Sequence, residues 1–189
     1  MIYRLVVFAS VFAASQQPVD PGAALRDGLT FVVGTGENET PWVVDSLTRG
    51  IAIGDHKTCV RFRLRIGTTP PVTRIFCHRG NELHTLRLDG ELVSTRPIVP
   101  GTYTSRPSDG SVVTFEVAAP SVDTISGIAI PVLPTVITTR DSTGRLIRRR
   151  TERFSVSHLT ALSSTSSVPD STKPGGSRQT QRFAISRIR

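Results

Sequence analysis

The chain is poor in lysine, sulfur and large aromatics: its 189 residues include two lysines, one methionine, two cysteines and a single tryptophan. Two cysteines are too few for a disulfide-dense mini-scaffold, while the length suits one domain of ordinary size with its own core. Long apolar runs are missing too. No stretch approaches the ~20 residues of a spanning helix, which excludes a multi-span helical membrane protein. Uninterrupted helical windows are equally scarce, because the 13 prolines are scattered from Pro18 to Pro174 and proline breaks helix interiors. With lysine and methionine nearly absent, these features argue against a helical bundle.

Catalytic signatures are also lacking. There is no Gly-x-Ser-x-Gly elbow, and Gly34-Thr35-Gly36 lacks the third glycine and following helix of a phosphate cradle. Asp141-Ser142-Thr143-Gly144 carries an extra residue relative to the Asp-Ser/Thr-Gly of aspartic proteases, and no second copy supplies the partner carboxylate. Asp55-His56 is the sole adjacent acid–imidazole pair, but neighbours on a strand point to opposite faces. The expectation is a non-enzymatic protein without cofactor. The alternative is a hydrolase assembled in space around His56, His78, His84 or His158.

What is present begins at the N-terminus. Arg4 precedes the apolar run Leu5–Ala14, with small residues at Ala13 and Ser15, the pattern of a secretory signal peptide over 1–15. Export to a periplasmic or extracellular compartment follows from that pattern, without a membrane span. In such a compartment two cysteines read as a disulfide. The strand Thr58–Ile66 alternates Val60, Phe62, Leu64 and Ile66 against Cys59, Arg61, Arg63 and Arg65. Gly67-Thr68-Thr69-Pro70-Pro71 turns it, and Val72–Arg79 returns. With Leu64 opposite Val72, Cys59 meets Cys77, within disulfide reach for directly opposed residues. The same register sets Arg74 against Phe62, on the apolar face. A structural metal on His56, Cys59, Cys77 and His78 is the competing reading, at odds with the tight pairing metal sites usually show.

The rest of the chain continues in this style. Residues 16–28 read as a flexible leader, and 29–189 as a single β-rich domain. Leu29–Val33 and Trp42–Leu47 are short strands. Leu83–Leu88 and Glu91–Arg96 flank Asp89-Gly90, a two-residue hairpin signal with positive φ at both positions. Ser111–Val117, Val132–Arg140, Arg145–Phe154 and Arg178–Ile188 are further strands. Arg148–Leu162 fits either helix or strand, and the Ser/Thr/Pro/Gly-rich 163–181 reads as a loop. The expected class is all-β, an antiparallel hairpin-rich sandwich or half-barrel of about nine to twelve short strands with little or no helix.

Charge provides the remaining signal. The formal net charge is +8, carried by 21 arginines against two lysines. It is concentrated in two segments, 56–90 and 140–189. Arg61, Arg63 and Arg65 form one stripe and Arg148, Arg149 and Arg150 another cluster, together a candidate anion-binding surface. Sparse aromatic interleaving argues against nucleic acid.

The succession of strand–turn–strand units over Lys57–Phe154, such as Leu86-Arg87-Leu88-Asp89-Gly90-Glu91-Leu92, resembles the exported β half-barrels of the LolA-like lipoprotein-carrier group. That resemblance implies an apolar ligand or lipid chain held inside a curved sheet, with helices laid into it, and carries no residue roles across. The expected function is an exported, non-enzymatic envelope domain that binds an apolar ligand or partner protein or serves structurally. Its partner would be a lipid or another envelope component, and Val60, Phe62, Leu64, Phe76 and Leu86 would line the groove. A module binding acidic surfaces through the arginine clusters is the alternative.

Overall fold

The computed structural model describes residues 20–34, 38–107, 109–170 and 176–189. The expected signal peptide at 1–15 lies outside them. Thirteen antiparallel strands form one sheet that curls into a nearly closed barrel. In chain order they are β1 (Thr30–Val33), β2 (Thr40–Ile53), β3 (His56–Ile66), β4 (Val72–Arg79), β5 (Glu82–Leu86), β6 (Leu92–Pro97) and β7 (Gly101–Ser105). There follow β8 (Val112–Val117), β9 (Ser121–Ile125), β10 (Ile128–Arg140), β11 (Leu146–Ser155), β12 (Thr160–Pro169) and β13 (Ser177–Ile188). The all-β class expected from the scattered prolines and alternating runs is the class observed.

The strands pair in the order β6-β5-β4-β3-β2-β1-β13-β12-β11-β10-β8-β7, with β9 on β10 off this path. Strands β6 and β7 are consecutive in sequence yet form the two edges, so the barrel keeps one unzipped seam. The faces follow from alternation. Val60, Phe62 and Leu64 point inward from β3 while Arg61, Arg63 and Arg65 point outward. Aromatics inside and arginines outside is the inverse of what lipid requires of a transmembrane barrel. Among the described residues no helix is long and apolar enough to cross a membrane.

The β3–β4 register is the one the sequence implies: Cys59 opposes Cys77, Val60 Phe76, Phe62 Arg74 and Leu64 Val72. Cys59 and Cys77 form a disulfide, both fully buried, beside Ile75 and Leu86 on the outer face. The bond removes both thiolates from the alternative metal set.

Several expectations need correction. The 163–181 segment is mostly sheet, in β12 and β13, whose ends are tied by Asp170 N–H donating to the Gly176 carbonyl at 3.0 Å. Its serines and threonines read as loop by composition, but Leu162, Ser164 and Ser166 alternate inward and are buried. Arg148–Leu162 contains no helix. Strand β11 ends at Ser155, and the turn Val156–Leu159 leads into β12. The leader is not loose from Asp20 onward: Gly22 and Ala24 donate to the carbonyls of Val156 and Ser157 at 3.0 and 2.9 Å. Leu25 enters the core with 3% exposure. Residues 20–29 thereby cap one barrel end together with that turn. The cap is tight, since a Cβ on Gly22 would meet Leu159 Cδ1 at 3.0 Å.

Strands β7, β9 and β12 are the three that local patterning did not mark, and they bring the sheet to thirteen. Strand β9 turns into β10 through Ser126 and Gly127, at φ 52° and 77°, the paired positive φ of a two-residue hairpin. Pro131 and Pro134 inside β10 masked this strand pair, because proline within a run reads against strand. On the outer face Arg153 fastens β9 to β11, donating from Nε to the Asp123 carboxylate at 2.7 and 2.8 Å. That hydrogen bond raises the guanidinium pKa above its usual value. At Asp89-Gly90 only Gly90 has positive φ, 91°. Gly90 N–H donates to Arg87 O, and Arg87 N–H to Glu91 O, which makes a three-residue loop with a glycine bulge.

Candidate functional site

Every strand except β7 and β9 contributes side chains to a lumen above the capped end. The lumen contains a cavity of about 520 Å³, within the range of roughly 300–1,000 Å³ typical of small-molecule sites. Its wall holds Phe31, Phe62, Phe76, Phe115, Phe154 and Phe183, which are all the phenylalanines of the described residues, and Trp42, the only tryptophan of the chain. Phe62 and Phe76 stack across β3 and β4 with centroids 6.0 Å apart, and Trp42 meets Phe183 at 5.8 Å. Two-residue alternation on seven different strands, together with the barrel closure, makes these distant positions converge.

Of the five residues expected to line an apolar groove, Phe62, Leu64 and Phe76 do so. Val60 is buried in the core without lining the cavity. Leu86 faces outward into the disulfide cluster, because it pairs with the outward Ile75, while Thr85, opposite Phe76, is the inward residue beside it. Phe31, Phe115, Phe154, Phe183 and Trp42 escaped sequence reasoning as site residues. Their signal was phenylalanine or tryptophan spaced by two from other inward residues, legible only once strand faces are known.

The lumen also holds charge. Arg74, Arg96 and Arg150 line it from β4, β6 and β11. Beneath them Glu152, 3% exposed, forms ion pairs with Arg96 and with Arg150, the latter at 2.7 Å. Arg150 donates from Nε to Ser164 Oγ at 2.9 Å, and the Arg96 guanidinium lies 4.2 Å from the centre of the Phe154 ring. Arg96 therefore ties the β6 edge to β11 across the seam. Among the described residues Arg74 has no ion-pair partner, and it is exposed at the lumen wall.

The expected arginine clusters do not form one surface. Arg150 turns into the lumen, whereas Arg149, its neighbour on β11, faces outward with Thr151. Arg61, Arg63 and Arg65 lie on β3, five strands away from β11 in the sheet. Arg65 is neutralised by Asp45, at 3.1 Å. The stripe is a solvated outer face of the barrel, on a strand paired on both sides.

The four histidines do not gather in one place: His158 stands apart from the His56–His84 pair, and His78 is exposed on β4. His158 lines the lumen at the capped end, its Nδ1 shared by Ser155 and Ser157 hydroxyls at 3.0 and 3.1 Å. Ser155 is fully buried. Burial, and then the positive charge of Arg26, hold the His158 pKa below its ordinary 6.5. A cation beside the ring opposes the imidazolium that a general base must become. On the outer face His56 Nε2 and His84 Nδ1 are 2.8 Å apart, and His84 Nε2 is 3.3 Å from Glu82. Among the described residues no serine or threonine is hydrogen-bonded to that chain. Also among them, no group of three His, Cys, Asp or Glu side chains is placed to hold a metal ion.

The depressed His158 pKa has a thermodynamic consequence. An unfolded chain takes up this proton near 6.5, the folded chain only at lower pH. Stability contributed by neutral His158 is therefore present at higher pH and is lost as pH falls through 6.5. Urea midpoints measured from pH 8 to about pH 5 should fall with acidity, and more steeply than in His158→Gln, which subtracts the other histidines. Parallel profiles would refute the assignment.

A shallower depression of about 630 Å³ crosses β7, β8, β10, β11 and β12 on the outer side, lined by Thr102, Glu116, Thr151 and Thr165. It carries no aromatic side chain. The fold and its lumen define an all-β barrel domain with an aromatic, positively charged interior. No family model, curated protein or solved structure matches the chain.

Proposed function

We propose that this is an exported, non-enzymatic β-domain that holds one apolar ligand in its barrel lumen. The observation carrying this reading is the convergence of six phenylalanines and the only tryptophan on a single cavity. Aromatic side chains bury large apolar areas, and a wall built largely of them gives the apolar part of a ligand an extended contact surface. Export is supported by the N-terminal signal pattern and is compatible with the Cys59–Cys77 disulfide. The resemblance to LolA-like half-barrels favours a lipid-like occupant. No helix enters the curved sheet among the described residues, so the proposal rests on the cavity.

Trp42 supplies an intrinsic reporter. Titration with the neutral apolar fluorophore N-phenyl-1-naphthylamine is expected to give saturable binding at one site per chain, with energy transfer from Trp42. Non-saturable enhancement, or no transfer from Trp42, would sink the reading.

A further inference from the structure

The lumen is apolar by its rings and cationic by its charges, and the two properties together specify a ligand. Arginines enter it from three strands, β4, β6 and β11, against the single carboxylate of Glu152, which leaves two positive charges. Arg96 and Arg150 share Glu152, while Arg74 is bound to no side chain among the described residues and stands beside the stacked Phe62–Phe76 pair. A wholly apolar ligand would strip water from these guanidiniums without replacing it, and desolvating a charge is costly. A cationic ligand would be repelled. An anionic head group instead turns the same desolvation into charge-assisted hydrogen bonds, which the planar arginine fork suits for carboxylate and phosphate.

Resting on the lumen reading above, we infer that the ligand is a single-chain amphiphile with one anionic head, a carboxylate or phosphate monoester. Its chain lies among Phe31, Trp42, Phe62, Phe154 and Phe183, and its head is received by Arg74. Arg74 is the receiving group because it is the lumen arginine with no structural partner. The exposed Val72 and Val93, 49% and 56%, flank it on β4 and β6 and offer an apolar lip for the chain to cross on entry.

The test displaces N-phenyl-1-naphthylamine with straight-chain compounds of equal length ending in carboxylate, phosphate, hydroxyl or trimethylammonium. Carboxylate or phosphate is expected to displace at concentrations at least about tenfold lower than the alcohol, and the ammonium least well. The carboxylate and phosphate arms separate a fatty-acid-type head from a phospholipid-type head. In Arg74→Gln the anionic advantage, read as the ratio of alcohol to carboxylate displacing concentrations, should shrink several-fold. Added salt should shrink it as well. If the probe binds but alcohol and carboxylate compete equally, or Arg74→Gln leaves the advantage intact, the head-group inference fails and the lumen reading stands. If the probe does not bind, both fail.

Discussion

Glu152→Gln lowers the stability of this protein by about 3–5 kcal/mol, the usual cost of breaking a buried ion pair from one side. The side chain is fully buried and its carboxylate lies between Arg96 and Arg150. Glutamine keeps the volume, so no cavity opens. What changes is charge: two partly exposed guanidiniums are left facing each other without a counter-charge. For a chain of this size the loss corresponds to a fall in Tm of roughly 10 °C. Because Arg96 reaches Glu152 from the unpaired edge strand β6, the same change should loosen the seam, with faster amide exchange in β6 and β7 than elsewhere. The triple variant Arg96→Met, Arg150→Met, Glu152→Leu should recover most of the stability, since apolar replacement of a whole buried ion group is often neutral. Urea unfolding measures both. A Glu152→Gln protein within about 0.5 kcal/mol of the parent, the scatter of ordinary surface changes, would show that the carboxylate does not hold the lumen charges.

The second large effect belongs to the disulfide. Cys59 and Cys77 are separated by 18 residues, and closing a loop of that size in the unfolded chain is worth about 3 kcal/mol. Cys59→Ala with Cys77→Ala should therefore unfold at correspondingly lower urea, with the lumen geometry kept. Both sulfurs are fully buried beneath Ile75 and Leu86. Reductant should leave the native protein oxidised until denaturant opens β3 and β4. Thiol labelling of the native protein without reductant would contradict the bond.

How much of this was legible in the sequence varied with what each residue depends on. The β3–β4 hairpin was fully legible, including the Cys59–Cys77 pairing, because alternation fixes faces and a turn fixes register. Arg74 opposite Phe62 followed from the same register and looked like a flaw, yet it is the lumen arginine free to meet a ligand. Strand β12 was misread, because Leu162-Ser163-Ser164-Thr165-Ser166-Ser167 has the composition of a loop. Its inward serines face Arg150 and Glu152 rather than an apolar core, so the pattern that marks a strand was absent. Leu86 was placed on the wrong face, since Leu83 and Leu86 are an odd number of residues apart and cannot share one. The leader was judged mobile on composition, though Leu25 has a place in the core.

The sequence by itself determined the all-β class, the disulfide and which side of β3 is apolar. These depend on period-two alternation and on turns a few residues long, which are local. Only the tertiary structure decided that Phe31, Trp42, Phe62, Phe76, Phe115, Phe154 and Phe183 share one wall and that Arg150 leaves its neighbour Arg149 to join Arg96 and Glu152. Barrel closure brings residues more than a hundred positions apart into one lumen. It depends on how thirteen strands order and curl, a long-range balance of burial that no short window of sequence records.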